Sequence, residues 1–235
     1  KLDSYIDELL LKKDCCLAYS PFFHLSLQNY YRKYNNSHKI EKTSKEIGRY
    51  IYDSILFSGL TFRKQEVEKL DSEKFLNTYY FQVYMFLSVF HQYGAYYFNT
   101  PLVLCNEDGE NGFGLSDSSV KNEHLANRDS IYSNVEFNKG LINVIGIFDH
   151  ENQTKMKEAF AKEYSLRSFG GLCKARKEGL KVFSEYIKML ESLDIKYSSM
   201  YSIYKMMLYV FGTRISSFLL SIPRSVLLSI RKNNN

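Results

Sequence analysis

Between Phe57 and Gly114 the sequence gathers residue types suited to handling sugars. Ser58-Gly59 ends the run ILFSG, where a residue without a side chain lets a second molecule approach the backbone. The same glycine equally suits a bulge or a packing contact, and the residues leave both uses open. Tyr79, Tyr80 and Gln82 open a helix-forming run. Tyrosine offers a flat apolar face with a hydroxyl, and glutamine a donor and an acceptor, a combination that stacks on and hydrogen-bonds to saccharide. Tyr80 and Gln82 are read as facing a cleft, Phe81 and Tyr84 as core. Asn106 to Ser116 holds three glycines and three acids (Glu107, Asp108, Glu110), with Asn111 among them. It lacks the alternation and the closing bidentate Glu of a calcium loop. It reads either as a solvated loop or as one that closes over a ligand.

Other chemistry is poorly represented. The histidines (His24, His38, His91, His124, His150) are scattered, and nothing resembles a Ser/His/Asp or Cys/His set. His91, late in an apolar helix, is read as a hydrogen-bonded core residue. Cys15, Cys16, Cys105 and Cys173 have no metal-ligand spacing, and as buried thiols they fit a reducing compartment. Gly170-Gly171 beside Arg167 and Lys174 is a weak phosphate-binding signal.

These residues need elements to position them. Leu2, Tyr5, Ile6, Leu9 and Leu10 recur at helical spacing, which predicts a helix over 3–13 with one apolar face. Cys15 to Leu27 reads as a buried strand bent at Pro21, Asn29 to Lys42 as a loop, and Ile47 to Ile55 as a helix. Ile55 to Phe62 reads as a second strand carrying Gly59, and Lys64 to Lys69 as a short helix. Asn77 or Thr78 and Gly94 bound a buried helix over Tyr79 to Tyr93. Ala95 to Cys105, with Pro101, is the next strand. Beyond Asp117 only helices are expected: Ser118–Phe148, Glu151–Tyr164, Lys174–Leu193 and Tyr197–Phe211, with a turn from Ser165 to Gly171. The expected divisions are 1–116, 117–194 and 195–235.

A chain of 235 residues can bury a sizeable core. Its 20 Tyr and 17 Phe, with no Trp, suit a carbohydrate site but are explained as well by core filling. A net charge of +5 is too mild to indicate nucleic acid. No secretory leader is visible, and no apolar run is long enough to span a bilayer.

The strand Leu56-Phe57-Ser58-Gly59, the helix Tyr80-Phe81-Gln82-Val83-Tyr84, the strand Tyr96-Tyr97-Phe98 running into Pro101-Leu102-Val103, and the loop Asp108-Gly109-Glu110-Asn111-Gly112 carry a resemblance by their order and spacing. Over about residues 1–115 they resemble the acceptor-side half of a family 2 glycosyltransferase with the GT-A fold, closest to the abequosyltransferase-like enzymes of bacterial surface polysaccharides. The helical remainder, with LANRDSIYSNVEF and SLRSFGGL, is similar to the C-terminal region of that group. The fold class implied is α/β, the acceptor-side half of a Rossmann-like GT-A domain followed by an all-helical extension.

The resemblance implies transfer of a sugar from a nucleotide-sugar to a lipid-linked glycan acceptor in O-antigen-like synthesis. In that family an Asp-x-Asp motif holds a divalent cation, Mg²⁺ or Mn²⁺, on the donor diphosphate, and an acceptor-side carboxylate takes the proton of the attacking hydroxyl. This chain has no Asp-x-Asp motif, so it is expected to begin just after the metal site and not to catalyse transfer alone. Where the family often has an acidic pair the chain has Asn77-Thr78. The candidate bases are then Asp71, Glu73, Glu107 and Asp108, with none preferred. The candidate acceptor contacts are Ser58, Gly59, Tyr80, Gln82, Glu110 and Asn111. The alternative is a non-catalytic truncated transferase or a membrane-peripheral interaction protein.

From Ile195 onward there are six basic residues and no acid. Ile215, Phe218, Leu219 and Ile222 fall at i, i+3, i+4 and i+7, flanked by Arg214 and Arg224, and Leu227 and Arg231 follow Pro223. Such a segment suits a helix lying in a membrane interface, or one docked on the domain core. The expected location is the cytoplasmic face of the cell membrane, held peripherally.

Overall fold

The computed structural model of the protein describes residues 2–25, 28–31, 34–55, 58–71, 73–75, 80–105 and 131–233, the last thirteen of these as backbone only. It is a mixed α/β chain with small mixed sheets and a helical C-terminal region. It divides into two compact units, one built mainly from residues 1–110 and the other mainly from 111–229.

In the first unit, α1 (Leu2–Leu11) leads into β1 (Leu17–Tyr19) and β2 (Phe22–His24), separated by Ser20-Pro21. Then come β3 (Asn29–Tyr31), β4 (His38–Ile40), α2 (Ile47–Ser54), β5 (Leu60–Phe62), α3 (Lys64–Val67), α4 (Phe81–Tyr93), β6 (Ala95–Tyr97) and β7 (Val103–Cys105). One sheet runs β4-β6-β1-β5 and the other β3-β2-β7. β1 pairs parallel with β6 (Ala18 opposite Tyr96) and β2 parallel with β7 (Phe23 opposite Leu104). β5 and β4 pair antiparallel with β1 and β6. The bend expected at Pro21 is therefore where the pairing passes from one sheet to the next.

β1 is buried on both faces, which its all-apolar sequence dictates for a central strand. Ala18 meets Tyr5 of α1 and Phe98, and the Tyr5 and Phe98 rings pack edge to face at 4.8 Å. The Tyr5 hydroxyl donates to Thr61 Oγ1 at 2.8 Å, tying α1 to β5. Only Tyr5 and Leu9 of the expected apolar face turn inward, while Leu2, Ile6 and Leu10 are exposed. β1 also packs against α4, and the Tyr19 ring meets Tyr50 of α2 at 5.9 Å. α4 buries Val83 and Met85 to Phe90 nearly all round, as its composition predicts, and Gly94 ends it at φ 72°.

Three expectations for this unit are corrected. Asn29 to Lys42 is not a loop: β3 and β4 lie within it, and Asn35-Asn36-Ser37 is the turn before β4. These three-residue edge strands are too short for an alternation signal and exist by pairing with β2 and β6. Gly59 is not in a strand. It sits in the turn before β5 with φ 81°, a conformation that favours glycine. Ala95 to Cys105 is two strands, because Pro101 supplies no N–H to a ladder.

The second unit is α5 (Ile131–Asn152), α6 (Met156–Arg167), α7 (Phe169–Lys177), α8 (Leu180–Glu191) and α9 (Ser199–Asn233) among its described residues. Its core includes Leu141, Ile145, Phe148, Phe160, Leu172, Phe183 and Leu190. Gly170-Gly171 is helical, contrary to expectation, because a side chain at 171 would stand 2.5 Å from the Tyr186 hydroxyl and its absence admits that ring. The single helix expected over Lys174–Leu193 is broken at Gly179. Asp149, near the end of α5, accepts the backbone N–H groups of Met156 (2.7 Å) and Lys157 (2.8 Å), and so caps α6 from outside its own sequence. A carboxylate on orphan N–H groups at a positive helix end is worth about 1–2 kcal/mol. Asp149→Ala is expected to lower the unfolding free energy by that about 1–2 kcal/mol in urea denaturation at neutral pH.

Candidate functional site

In open α/β sheets ligands bind beyond the carboxyl ends of parallel strands. In this fold that end of the β1–β6 pair is built from Ser20, Phe98 and Asn99. The Phe98 N–H donates to Tyr19 O at 3.0 Å and continues the parallel ladder one step past the strands. The Ser20 N–H donates to Gly59 O, also at 3.0 Å. A Cβ on Gly59 would stand 2.7 Å from Ser20 O, so the two backbones touch only because residue 59 is glycine. Ser58, beside it, is exposed.

α4 begins close by. Tyr80 takes the N-cap position and its carbonyl accepts from Val83 (2.9 Å) and Tyr84 (3.1 Å). The Gln82 side-chain Nε2 donates to Ile55 O at 3.0 Å, which fastens the first turn of α4 to the segment leading into Ser58-Gly59. The bond ends on Ile55, at the close of α2. The Tyr80 side chain is buried, so its aromatic face belongs to the interior. Phe81 and Tyr84 are half-buried. Asp71 and Glu73 are exposed, and Asp71 Oδ1 accepts the Glu73 N–H at 3.1 Å. Asn77, Thr78, Tyr79, Glu107, Asp108, Glu110 and Asn111 lie outside the described residues.

A polar cluster that no sequence pattern indicates lies beneath this end of the sheet. Tyr19, Tyr34, Tyr50 and Tyr97 converge, with Tyr34 and Tyr97 centroids 4.7 Å apart and Tyr19 and Tyr97 5.2 Å apart. The Tyr34 hydroxyl donates to Asp53 Oδ2 at 3.0 Å, and the Arg49 guanidinium lies 4.1 Å over the Tyr34 ring. Tyr97 Oη accepts the Tyr34 N–H at 3.1 Å. The Tyr19 hydroxyl, Ser20 Oγ and Arg49 Nη1 are buried without a hydrogen-bond partner in the described structure. Glu46 lies 3.5 Å from Arg49 Nη1 as an ion pair without hydrogen-bond alignment. The four tyrosines are buried, while Arg49 and Asp53 are half-buried at the edge of the cluster.

Two hollows, of about 350 and 410 Å³, lie at the opposite, amino ends of the strands. Both are bordered by Lys12, Lys13, Cys15, Cys16 and Leu17. Burial pushes both thiols up, which keeps them protonated and weakly nucleophilic. Arg167 of the expected phosphate site is held by Glu163 at 2.6 Å. Among the described residues no group of three His, Cys, Asp or Glu side chains could hold a metal ion.

The chain matches no family model, no curated protein and no solved structure.

Burial pushes the Tyr50 and Tyr97 hydroxyls up to about 12, and those of Tyr19 and Tyr34 well above the usual value. Unfolded phenols ionise near pH 10, so the stability tied to these neutral hydroxyls is complete below about pH 10. It is lost as pH rises through about 12. Alkaline titration is expected to show phenolate absorbance from the cluster appearing together with loss of tertiary circular dichroism. Gly59→Ala is expected to cost about 1–3 kcal/mol in urea denaturation, from its positive φ and the collision with Ser20 O.

Proposed function

We propose that this chain is the acceptor-side portion of a glycosyltransferase of the GT-A type, related to family 2 enzymes of surface-polysaccharide synthesis. The observation that supports it best is the junction at the carboxyl end of β1 and β6. There Gly59 touches Ser20 and Gln82 fastens the start of α4 to the segment before Ser58. A side-chain-free backbone beside an exposed serine, at the ligand-binding end of parallel strands, suits a flat hydroxyl-rich saccharide.

The reaction proposed is displacement at the anomeric carbon. An acceptor hydroxyl attacks, its proton passes to a carboxylate, a new C–O bond forms, and the bond to the nucleoside diphosphate breaks. Asp71 and Glu73 are the described candidates for that carboxylate, with Glu107 and Asp108 outside the described residues. Mg²⁺ or Mn²⁺ would neutralise the leaving diphosphate in a complete enzyme. The proposed partners are a nucleotide-sugar, a lipid-linked saccharide and the cytoplasmic membrane face. A non-catalytic, interaction-only role is favoured by one feature, the absence of an Asp-x-Asp motif.

The chain, incubated with lipid-linked saccharide, nucleotide-sugars and Mg²⁺ or Mn²⁺, is expected to bind the saccharide without turning over the donor. Ser58→Ala, at an exposed position, and Gln82→Ala are expected to weaken saccharide binding about tenfold, the loss of one or two hydrogen bonds. Measured donor turnover would exclude the interaction-only role, and failure of the wild-type chain to bind any saccharide would overturn the proposal.

A further inference from the structure

α9 has two apolar sides. Tyr201, Tyr204 and Leu208, at i, i+3 and i+7, are buried. Ile203, Met206, Tyr209 and Val210 occupy the opposite side, where Met206, Tyr209 and Val210 are each about 60 % exposed. A helix that is apolar all round is normally enclosed, and this one presents large apolar groups to solvent. At Gly212 (φ 68°, ψ −174°) the helix turns. The Arg176 Nε donates to Leu208 O at 3.0 Å and satisfies a carbonyl in the last turn before the bend. Past the bend, Ile215, Phe218 and Leu219 are again exposed, Phe218 at 71 %, with exposed Arg214 beside them. The outward apolar surface therefore begins twelve residues earlier than Ile215, the first position of the pattern visible in sequence, and continues on both sides of the bend.

We propose that the outward side of α9, from Ile203 through Leu219, is a docking surface for a membrane leaflet rich in anionic phospholipid. Its apolar residues would enter the headgroup boundary and its basic residues face the lipid phosphates. Charge decides between a leaflet and a second copy of the chain. Lys196, Lys205, Arg214, Arg224, Arg231 and Lys232 occur from 195 to 235 with no acid. Within Ile203–Leu219 the basic residues are Lys205, engaged by Glu191 at 2.7 Å, and the exposed Arg214, with no acid, and Arg224, Arg231 and Lys232 follow in the sequence. Two copies meeting on this surface would bring like charges together, whereas anionic headgroups neutralise them. Tyr209, with an apolar ring and a polar tip, is the aromatic type favoured at such a boundary. No described helix is long and apolar enough to cross a bilayer, so the mode is in-plane.

This inference rests on the membrane-facing part of the proposed function and not on sugar transfer. Its test uses the full chain with phosphatidylglycerol–phosphatidylcholine vesicles and with pure phosphatidylcholine vesicles, without nucleotide-sugar or saccharide, so failure of the transferase reading cannot alter it. Sedimentation with the anionic vesicles is expected, weakening at high salt. Val210→Asp and Phe218→Asp, both at exposed positions that leave the fold intact by circular dichroism, are expected to lower the partition coefficient about tenfold each. Arg214→Glu is expected to weaken binding to anionic vesicles and leave binding to neutral ones unchanged. Wild-type chain that stays in the supernatant, binding that survives the Val210→Asp/Phe218→Asp pair, or lipid-free self-association abolished by that pair would each overturn the proposal.

Discussion

The first unit depends on a backbone-to-backbone contact between Ser20 and Gly59. The Ser20 N–H is held by Gly59 O, and no side chain fits at residue 59. Ser20 is also where the chain passes from β1 to β2 and changes sheets. Without that contact the turn before β5 would lose its register on β1, since Tyr19–Leu60 is the last pair of the antiparallel ladder. The same contact gives the carboxyl end of the parallel pair its shape. Glycine adopts this positive φ without strain, and the cost would fall on any side chain placed there.

Tyrosine does two kinds of work. Around Tyr19 the rings fill volume that tryptophan would otherwise occupy, and hydroxyls such as those of Tyr34 and Tyr97 bond to Asp53 and to backbone. In the helical unit Tyr164 and Tyr186 both reach Asn134 Oδ1 at 3.4 Å, and Tyr197 stacks on Tyr201 at 4.1 Å. A core of this type is stable only while its hydroxyls stay neutral and mostly partnered. Many of the tyrosines are therefore accounted for by packing, and the proposed carbohydrate recognition rests on the few groups at the Ser58–Gly59 turn and the start of α4.

What the sequence made legible is what short-range physics controls. α4 was readable because a sustained apolar run ends at a glycine, and β1–β2 because an apolar run is broken by Pro21. β3 and β4 were hidden because three-residue edge strands exist only through pairing with residues far along the chain. Gly171 misled because the absence of its side chain makes room for the Tyr186 ring, 15 residues away and on another helix. The polar cluster was hidden for the same reason. Asp53, Tyr34 and Tyr97 meet only when β1, β6 and α2 assemble, although Arg49, Tyr50 and Asp53 already share one helical segment. For the candidate site, the α4 helix was legible, while the turn conformation of Gly59 and the burial of Tyr80 were not.

The proposed function requires that saccharide settle at the Ser20–Gly59 junction. Backbone amide chemical shifts, followed by NMR while a lipid-linked saccharide analogue is titrated, address this residue by residue. Saturable shifts are expected at Ser20, Ser58, Gly59 and Gln82, with the amides bordering Lys12 to Leu17 unmoved. Shifts confined to the Lys12–Leu17 end, or none at the junction up to saturating ligand, would contradict it.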